Sequence, residues 1–192
     1  VGKIEVIDEE RREKDQLVAR AERDSLTGLL NSETTRLRIG QQLDALAGGE
    51  RGALLVVDVD CFKDVNDTHG HLVGDLVLAD IARILRENFR IGDVVGRLGG
   101  DEFMVYLDRV GSTDVVLGKC DRLRRAVERH EYPGTDCRVT ISVGVVLAHA
   151  GDTFDDLYGR ADEALYAAKR DGRNRCGLAD GALRSPKAAP AP

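Results

Sequence analysis

Two apolar runs, Val94 to Leu98 and Phe103 to Leu107, flank Gly99-Gly100, and the carboxylates Asp101 and Glu102 follow the glycines directly. Gly-Gly between β-type runs predicts a two-residue hairpin loop, because glycine enters positive φ at no steric cost. A hairpin commits the chain to neighbouring antiparallel strands, so the rest of the fold must cover a sheet. Upstream, Leu54-Leu55-Val56-Val57-Asp58-Val59-Asp60 reads as an apolar strand with Asp58 and Asp60 at its carboxyl end. Unbroken hydrophobicity over 53–59 predicts burial on both faces.

Two carboxylates within about 4 Å repel by roughly 4 kcal/mol at an effective dielectric near 20, so a cluster of this kind recruits a cation. Hard oxygen ligands beside glycine suit Mg²⁺ together with a phosphate. The net charge of −6 excludes a general nucleic-acid binder, whose affinity comes from Lys and Arg on phosphates. Cys61, Cys120, Cys137 and Cys176 lie far apart with no C-x-x-C pair, which reads as free thiols. No run approaches the ~20 apolar residues of a membrane helix and no signal-peptide pattern is present, so the expected location is the cytoplasm, with no membrane contact. The chain opens at Val1, without an initiator methionine, and this points to a segment of a longer protein.

Charges of both signs over Asp8–Asp15 predict a solvated helix, and residues 1–23 form an expected helical leader or connector. Asn31 or Ser32 caps the next helix, with Leu37, Leu43 and Leu46 as candidate buried positions and Gly48-Gly49 as its stop. A helix is predicted from about Gly74 to Arg90 and another over about 112–130 with Val115 or Val116 inward. A strand over Arg138–Leu147 and a helix over Phe154–Arg170 follow, with Tyr158, Ala161, Leu165 and Ala168 in register. The order strand, helix, hairpin, helix, strand, helix predicts an α+β fold, a mostly antiparallel sheet flanked by helices as in ferredoxin-like cores. The Pro/Ala-rich end over 179–192 reads as disordered.

Gly99-Gly100-Asp101-Glu102-Phe103 resembles the signature of the GGDEF family, the diguanylate cyclases. Four further blocks resemble the family in order: Asp24–Asn31, Asp58–Asp67, His69–Asp75 and Ala161–Asn174. Ser32 departs from the arginine that many members carry there. The resemblance implies a palm-like nucleotidyl-cyclase domain over 24–178. It also implies condensation of two GTP into cyclic di-GMP with loss of pyrophosphate, by a homodimer, downstream of a sensor or receiver domain.

The resemblance further implies roles for particular residues. Asp58, the Val59 carbonyl, Asp101 and Glu102 are implied ligands of two Mg²⁺ (or Mn²⁺), with Asp58, Lys63, Asp101 and Glu102 catalytic. Phe62 and Lys63 offer backbone N–H groups and a charge to the terminal phosphates, and Gly99 and Gly100 let a triphosphate approach. Asn66 and Asp75 read guanine, and His71 lies by the nucleotide. Lys169 and Arg173 contact the β- and γ-phosphates, although cations at a helix C-terminus capped by Gly172 would look the same. Arg90-Ile91-Gly92-Asp93 resembles the R-x-x-D site where such enzymes bind their product. An Arg–Asp pair near a helix end is otherwise ordinary surface electrostatics. Two other readings stand beside the cyclase: a non-catalytic cyclic di-GMP receptor using Arg90 and Asp93, and a nucleotidyl cyclase with another product.

Overall fold

The strand Arg51–Val59 (β1) is the middle of the sheet, and every residue after Arg51 is buried. The computed structural model describes residues 21–136 and 138–179. Residues 1–20 of the expected leader, residues 180–192 of the expected tail and Cys137 lie outside them. The elements run in order: α1 (Ser32–Asp44), β1, α2 (Phe62–His69), α3 (His71–Asn88), β2 (Val94–Gly99), β3 (Glu102–Leu107), α4 (Thr113–Arg129), β4 (Ile141–His149), α5 (Phe154–Arg170) and β5 (Cys176–Leu178). The sheet order is β2-β3-β1-β4-β5. Every pairing is antiparallel except β4 with β5.

Side chains alternate across a strand, and here the alternation separates two cores. Leu55, Val57 and Val59 of β1 join Val77, Ile81 and Leu85 of α3 and Leu123 and Val127 of α4. Leu54 and Val56 join Met104 and Tyr106 of β3, Ile39 of α1 and Leu157, Ala161 and Leu165 of α5. Even-numbered β1 positions therefore face α5, and the next even position is Asp58. Sequence parity alone puts this carboxylate under the last helix.

Gly144 of β4 brings α5 down onto the sheet. A Cβ there would sit 2.0 Å from the Ala161 carbonyl oxygen, so only glycine permits the contact. Caps begin the helices as expected for Ser, Thr and Asn: Asn31 accepts from the Thr34 N–H, Ser112 from Val115 and Thr153 from Asp156.

Several boundaries differ from the sequence expectation. Helix α1 stops at Asp44, before Gly48-Gly49, and Leu37 on it is exposed while Ile39 and Leu43 are buried. Of the two valines offered for α4, Val116 is buried and Val115 is not. On α5, Leu157 is buried alongside Ala161, Leu165 and Ala168, whereas Tyr158 stays partly exposed, stacked on Phe154 at 6.0 Å. β4 begins at Ile141 instead of Arg138, and α2 and β5 are additional elements. In the hairpin, Gly99 pairs with Glu102 after a register shift beyond Arg97. The loop residues are thus Gly100 and Asp101, because a bulge consumes one residue before the turn.

Asp24 ties the chain's first turn to this hairpin. It accepts from the Thr27 N–H at 2.8 Å, from Thr27 Oγ1 at 2.6 Å and from Arg97 Nη1 at 3.0 Å. Arg97 in turn donates through Nη2 to the Gly100 carbonyl at 2.7 Å. Burial alone would raise the Asp24 carboxyl, but the Thr27 and Arg97 hydrogen bonds outweigh it and hold it below its ordinary value. A depressed carboxylate adds stability above its unfolded pKa and loses it as pH falls through the folded value. Asp24→Asn is expected to cost about 1–2 kcal/mol at neutral pH. Urea unfolding over a pH series should show that deficit closing as pH falls below the ordinary carboxylate range; a pH-independent deficit would contradict the ion-pair account.

Candidate active site

Asp58 and Glu102 are Cα partners in the β1–β3 ladder, and both lie on the α5 face by strand parity. The Val59 N–H donates to the Asp101 carbonyl at 3.3 Å, fastening the hairpin turn to the end of β1. The structure thus brings Asp58, Val59, Asp101 and Glu102 to one corner of the sheet. Lys169, one residue from the end of α5, reaches down and donates through Nζ to Asp58 Oδ2 at 2.8 Å. The Asp58 side chain is only 9 % exposed. Burial is the main reason its carboxyl is raised above the ordinary range; the Lys169 ammonium opposes the rise and the Asp101 and Glu102 charges add to it.

This donor set fits a hard divalent cation. Its side-chain donors are carboxylate oxygens, and one of them already holds a cationic group, the Lys169 ammonium, at 2.8 Å. Among the described residues, no three His, Cys, Asp or Glu side chains are drawn together tightly enough to enclose a metal. The carboxylates converge from two strands without closing.

Asp60 does not share this role, contrary to the carboxylate pair drawn from the β1 sequence. Its Oδ1 accepts from Ser142 Oγ at 2.6 Å, and its Oδ2 from Thr140 Oγ1 at 2.7 Å and from the Asn174 N–H at 2.9 Å. β1 has ended at Val59, so Asp60 turns toward β4 and the loop after α5. It is a buried structural acceptor.

Residues 62–69 form a short helix. Its preceding residue, Cys61, has φ 55° and ψ 31°, and the N–H groups of Phe62 and Lys63 in its first turn have no intrahelical acceptor. A left-handed residue followed by helical ones builds a concave cluster of N–H donors suited to an anion. Asn66 on this helix meets α3 at Gly74, where a Cβ would lie 2.0 Å from Asn66 Oδ1. Gly74 is the notch that lets Asn66 pack against the first turn of α3, one residue before Asp75. His71 and Asp75 are both exposed and four residues apart, hence on one face of α3.

On the far side of α5's end, Gly172, Arg173 and Asn174 take φ values of 118°, 59° and 48°. A left-handed backbone costs an ordinary residue such as Arg173 about 1–2 kcal/mol and asparagine less, so this turn is held by its partners. Asn174 supplies several: Nδ2 donates to Glu128 Oε1 at 2.7 Å and Oδ1 accepts from Arg124 Nη1 at 2.9 Å. The Asn174 amide, with Arg124 and Arg138, holds the Glu128 carboxyl below its usual value. The sequence reading named Arg173 and missed this support. Its signal was the polar Arg173-Asn174 pair directly after the glycine helix stop at Gly172.

Arg90 and Asp93 are brought together as a closed pair. Asp93 Oδ1 accepts from Arg90 Nε and Oδ2 from the Arg90 N–H, both at 3.2 Å. Arg90 Nη2 also donates to the Asp108 carbonyl. The Asp93 side chain is 1 % exposed and that of Arg90 59 %. The carboxylate expected to meet guanine N–H groups is therefore committed to Arg90, and the guanidinium is what solvent sees. Arg23, Arg38 and Arg86 join the pair around a depression of about 360 Å³.

No helix among the described residues is long and apolar enough to cross a membrane. Cys61, Cys120 and Cys176 are free thiols.

Comparison with known proteins places these residues in a family. The family model for the diguanylate cyclase GGDEF domain matches residues 21–175. The chain is 39% identical over 170 residues to diguanylate cyclase DgcM of Escherichia coli K12, covering 88% of this chain and 41% of that protein. It is 39% identical over 139 residues to diguanylate cyclase A of Treponema denticola, covering 71% of this chain and 37% of the relative. The chain thus spans about two-fifths of the length of the curated relatives it matches. Among solved structures it resembles the coiled coil and GGDEF domain of Caulobacter crescentus DgcB in complex with c-di-GMP. That likeness has a TM-score of 0.84 at 30% identity and covers 92% of this chain and 95% of that one. Fold, signature hairpin and family match agree, and the chain belongs to the GGDEF-domain family of diguanylate cyclases.

Proposed function

We propose that this chain condenses two GTP molecules into cyclic di-GMP, two copies facing each other with one nucleotide each. The observation that carries the reading is the corner where Asp58 faces Glu102 across the β1–β3 ladder with Lys169 bonded to Asp58. Asp58, the Val59 carbonyl, Asp101 and Glu102 are the groups that would hold Mg²⁺. Bound there, two such ions would polarise the α-phosphate and lower the charge on the attacking and leaving oxygens. Each condensation forms one 3′-O–P bond, breaks the bond from the α-phosphorus to the leaving oxygen and releases pyrophosphate. Asp101 or Glu102 accepts the proton of the 3′-hydroxyl.

The remaining residues position the nucleotide, which is most of what phosphoryl-transfer sites do. The Phe62 and Lys63 N–H groups and the Lys63 ammonium meet the terminal phosphates, and Gly99 and Gly100 leave room for the chain of phosphates. Lys169 exchanges Asp58 for a phosphate oxygen, and Arg173 meets the same end. Asp75 accepts from the guanine N1–H and N2–H₂, Asn66 completes the base edge, and His71 borders it. Arg90, oriented by Asp93, grips the product at a separate site. One copy presents one set of these groups, whereas the product is two-fold symmetric, so the reacting unit is a homodimer. An upstream sensor or receiver domain and a cytoplasmic location complete the reading.

Incubating the purified chain with GTP and Mg²⁺ and identifying products by mass spectrometry tests the reaction; recovery of unreacted GTP would sink it and favour the receptor reading. Asp101→Asn is expected to lower turnover by about 10²-fold or more while the fold persists by circular dichroism.

Asp75 should make the site reject ATP by up to about 10⁴-fold, because adenine leaves the carboxylate without donors. Efficient formation of cyclic di-AMP in a competition assay would remove Asp75 from the base site.

Arg90→Ala is expected to abolish cyclic di-GMP binding in calorimetry while sparing initial turnover. It should also lower stability by about 1–3 kcal/mol, since Asp93 stays buried with fewer donors. Undiminished product binding would reduce Arg90 to a surface ion pair.

A further inference from the structure

The structure assigns Asn174 as a positioning residue for Arg173: it braces the phosphate-end turn from one side on Asp60 and from the other on the Arg124–Glu128 pair of α4. The inference rests on the reading of Arg173 as a triphosphate contact. Arg173 itself is exposed and sits on a left-handed backbone at φ 59°, followed by a second left-handed residue at 48°. Two such residues in succession are held only where the surroundings over-determine them. Asn174 supplies three bonds that do this, its N–H to Asp60 at 2.9 Å, Nδ2 to Glu128 at 2.7 Å and Oδ1 from Arg124 at 2.9 Å.

The anchors are themselves fixed. Asp60 is 7 % exposed and spends its remaining acceptor capacity on Thr140 and Ser142. Arg124 and Glu128 are bonded to each other at 2.9 Å and are 15 % and 14 % exposed, with Arg138 also on Glu128 and Asp121 also on Arg124. The Asn174 side chain satisfies one donor and one acceptor of this pair at once. Aspartate in its place would set a carboxylate against Glu128, and leucine would remove one hydrogen bond from each partner. The brace reaches across three parts of the fold: Asp60 after β1, Thr140 and Ser142 at β4, and α4. It joins the turn bearing Arg173 to the strand bearing Asp58, so the phosphate end and the carboxylate corner move as one body.

The test separates the side-chain brace from the backbone. Asn174→Gly keeps the left-handed turn and the N–H to Asp60, because glycine favours that conformation, and removes only the links to α4. Calorimetry with the poorly reactive α-thio analogue of GTP in Mg²⁺ is expected to show about 10-fold weaker binding for Asn174→Gly, in line with what small misplacements cost. Binding of GMP, which lacks the terminal phosphates, should be unchanged. In an Arg173→Ala background the glycine substitution should add less than about twofold, since residues acting through one another do not add. Equal weakening of GMP and the triphosphate would mean a loosened fold and overturn the inference, as would parental triphosphate affinity of Asn174→Gly. If Arg173→Ala alone left triphosphate binding intact, the phosphate role of Arg173 would fall, and the positioning role with it. Loss in Arg173→Ala without loss in Asn174→Gly would keep the first and reject the second.

Discussion

The register between β1 and β3 carries the rest of the site. Because side chains alternate with a period of two, the apolar residues that fill two different cores also decide which way Asp58 points. Leu54 and Val56 need the α5 side, Leu55 and Val57 the α3–α4 side, and Asp58 follows its even-numbered neighbours. Pairing of Asp58 with Glu102 then sets a second carboxylate beside it on the same face. A slip of one residue would bury Asp58 under α3 and α4 and exchange the apolar sets between the two cores they were sized for. Hydrophobic burial therefore specifies a polar arrangement that would be unfavourable by itself.

That arrangement is held against several costs. Asp58 is pushed above its ordinary range by burial and by its acidic neighbours, with Lys169 as its counter-charge. Gly144 lets α5 approach closely enough for Lys169 to reach, and a side chain there would clash with the Ala161 carbonyl. The turn after α5 stores left-handed backbone at Arg173 and Asn174. Three of the four described non-glycine residues at positive φ, Cys61, Arg173 and Asn174, lie at this end of the sheet, near the like charges of Asp58, Asp101 and Glu102. Such concentration is what a site shaped for a ligand shows, since binding relieves terms that folding alone leaves unfavourable.

The elements strong in pattern were legible: the unbroken run of β1, the glycine turn, the capped helices and the apolar stripe of α5. Edges were less so. The hairpin turn moved to Gly100-Asp101 because a bulge absorbed a residue, and no local signal announces a bulge. α2 was missed because eight residues carry too little periodicity to stand out, with Val65 alone buried on it. Three-residue β5 exists only because β4 offers it an edge. At the site, motif resemblance named Asp58, Lys169 and Arg173 and left Asp60 out, whereas the β1 pattern by itself could not tell Asp58 from Asp60. Both are acids two positions apart, and strand termination at Val59 assigns them different partners. Gly74 and Gly144 were invisible as site residues because their contribution is the absence of a side chain where another element passes.

Lys169 shows how the same groups serve folding and the proposed reaction. Without a ligand, its ammonium stabilises a buried carboxylate that would otherwise be left with two acidic neighbours. In the proposed complex Asp58 and Lys169 exchange each other for a cation and a phosphate oxygen. Neither charge is left bare in either state, so the cost of separating them is offset by new pairs of the same kind. The exchange would also couple the two halves of the ligand: a phosphate drawing Lys169 away would leave Asp58 free to hold a cation, and Asp58 committed to a cation would leave Lys169 free for phosphate. Binding of either alone leaves one member of the pair uncompensated. An electrostatic swap of this form favours simultaneous arrival of metal and triphosphate. It needs no movement of the sheet, only of a lysine side chain that is already one-third exposed at the end of its helix.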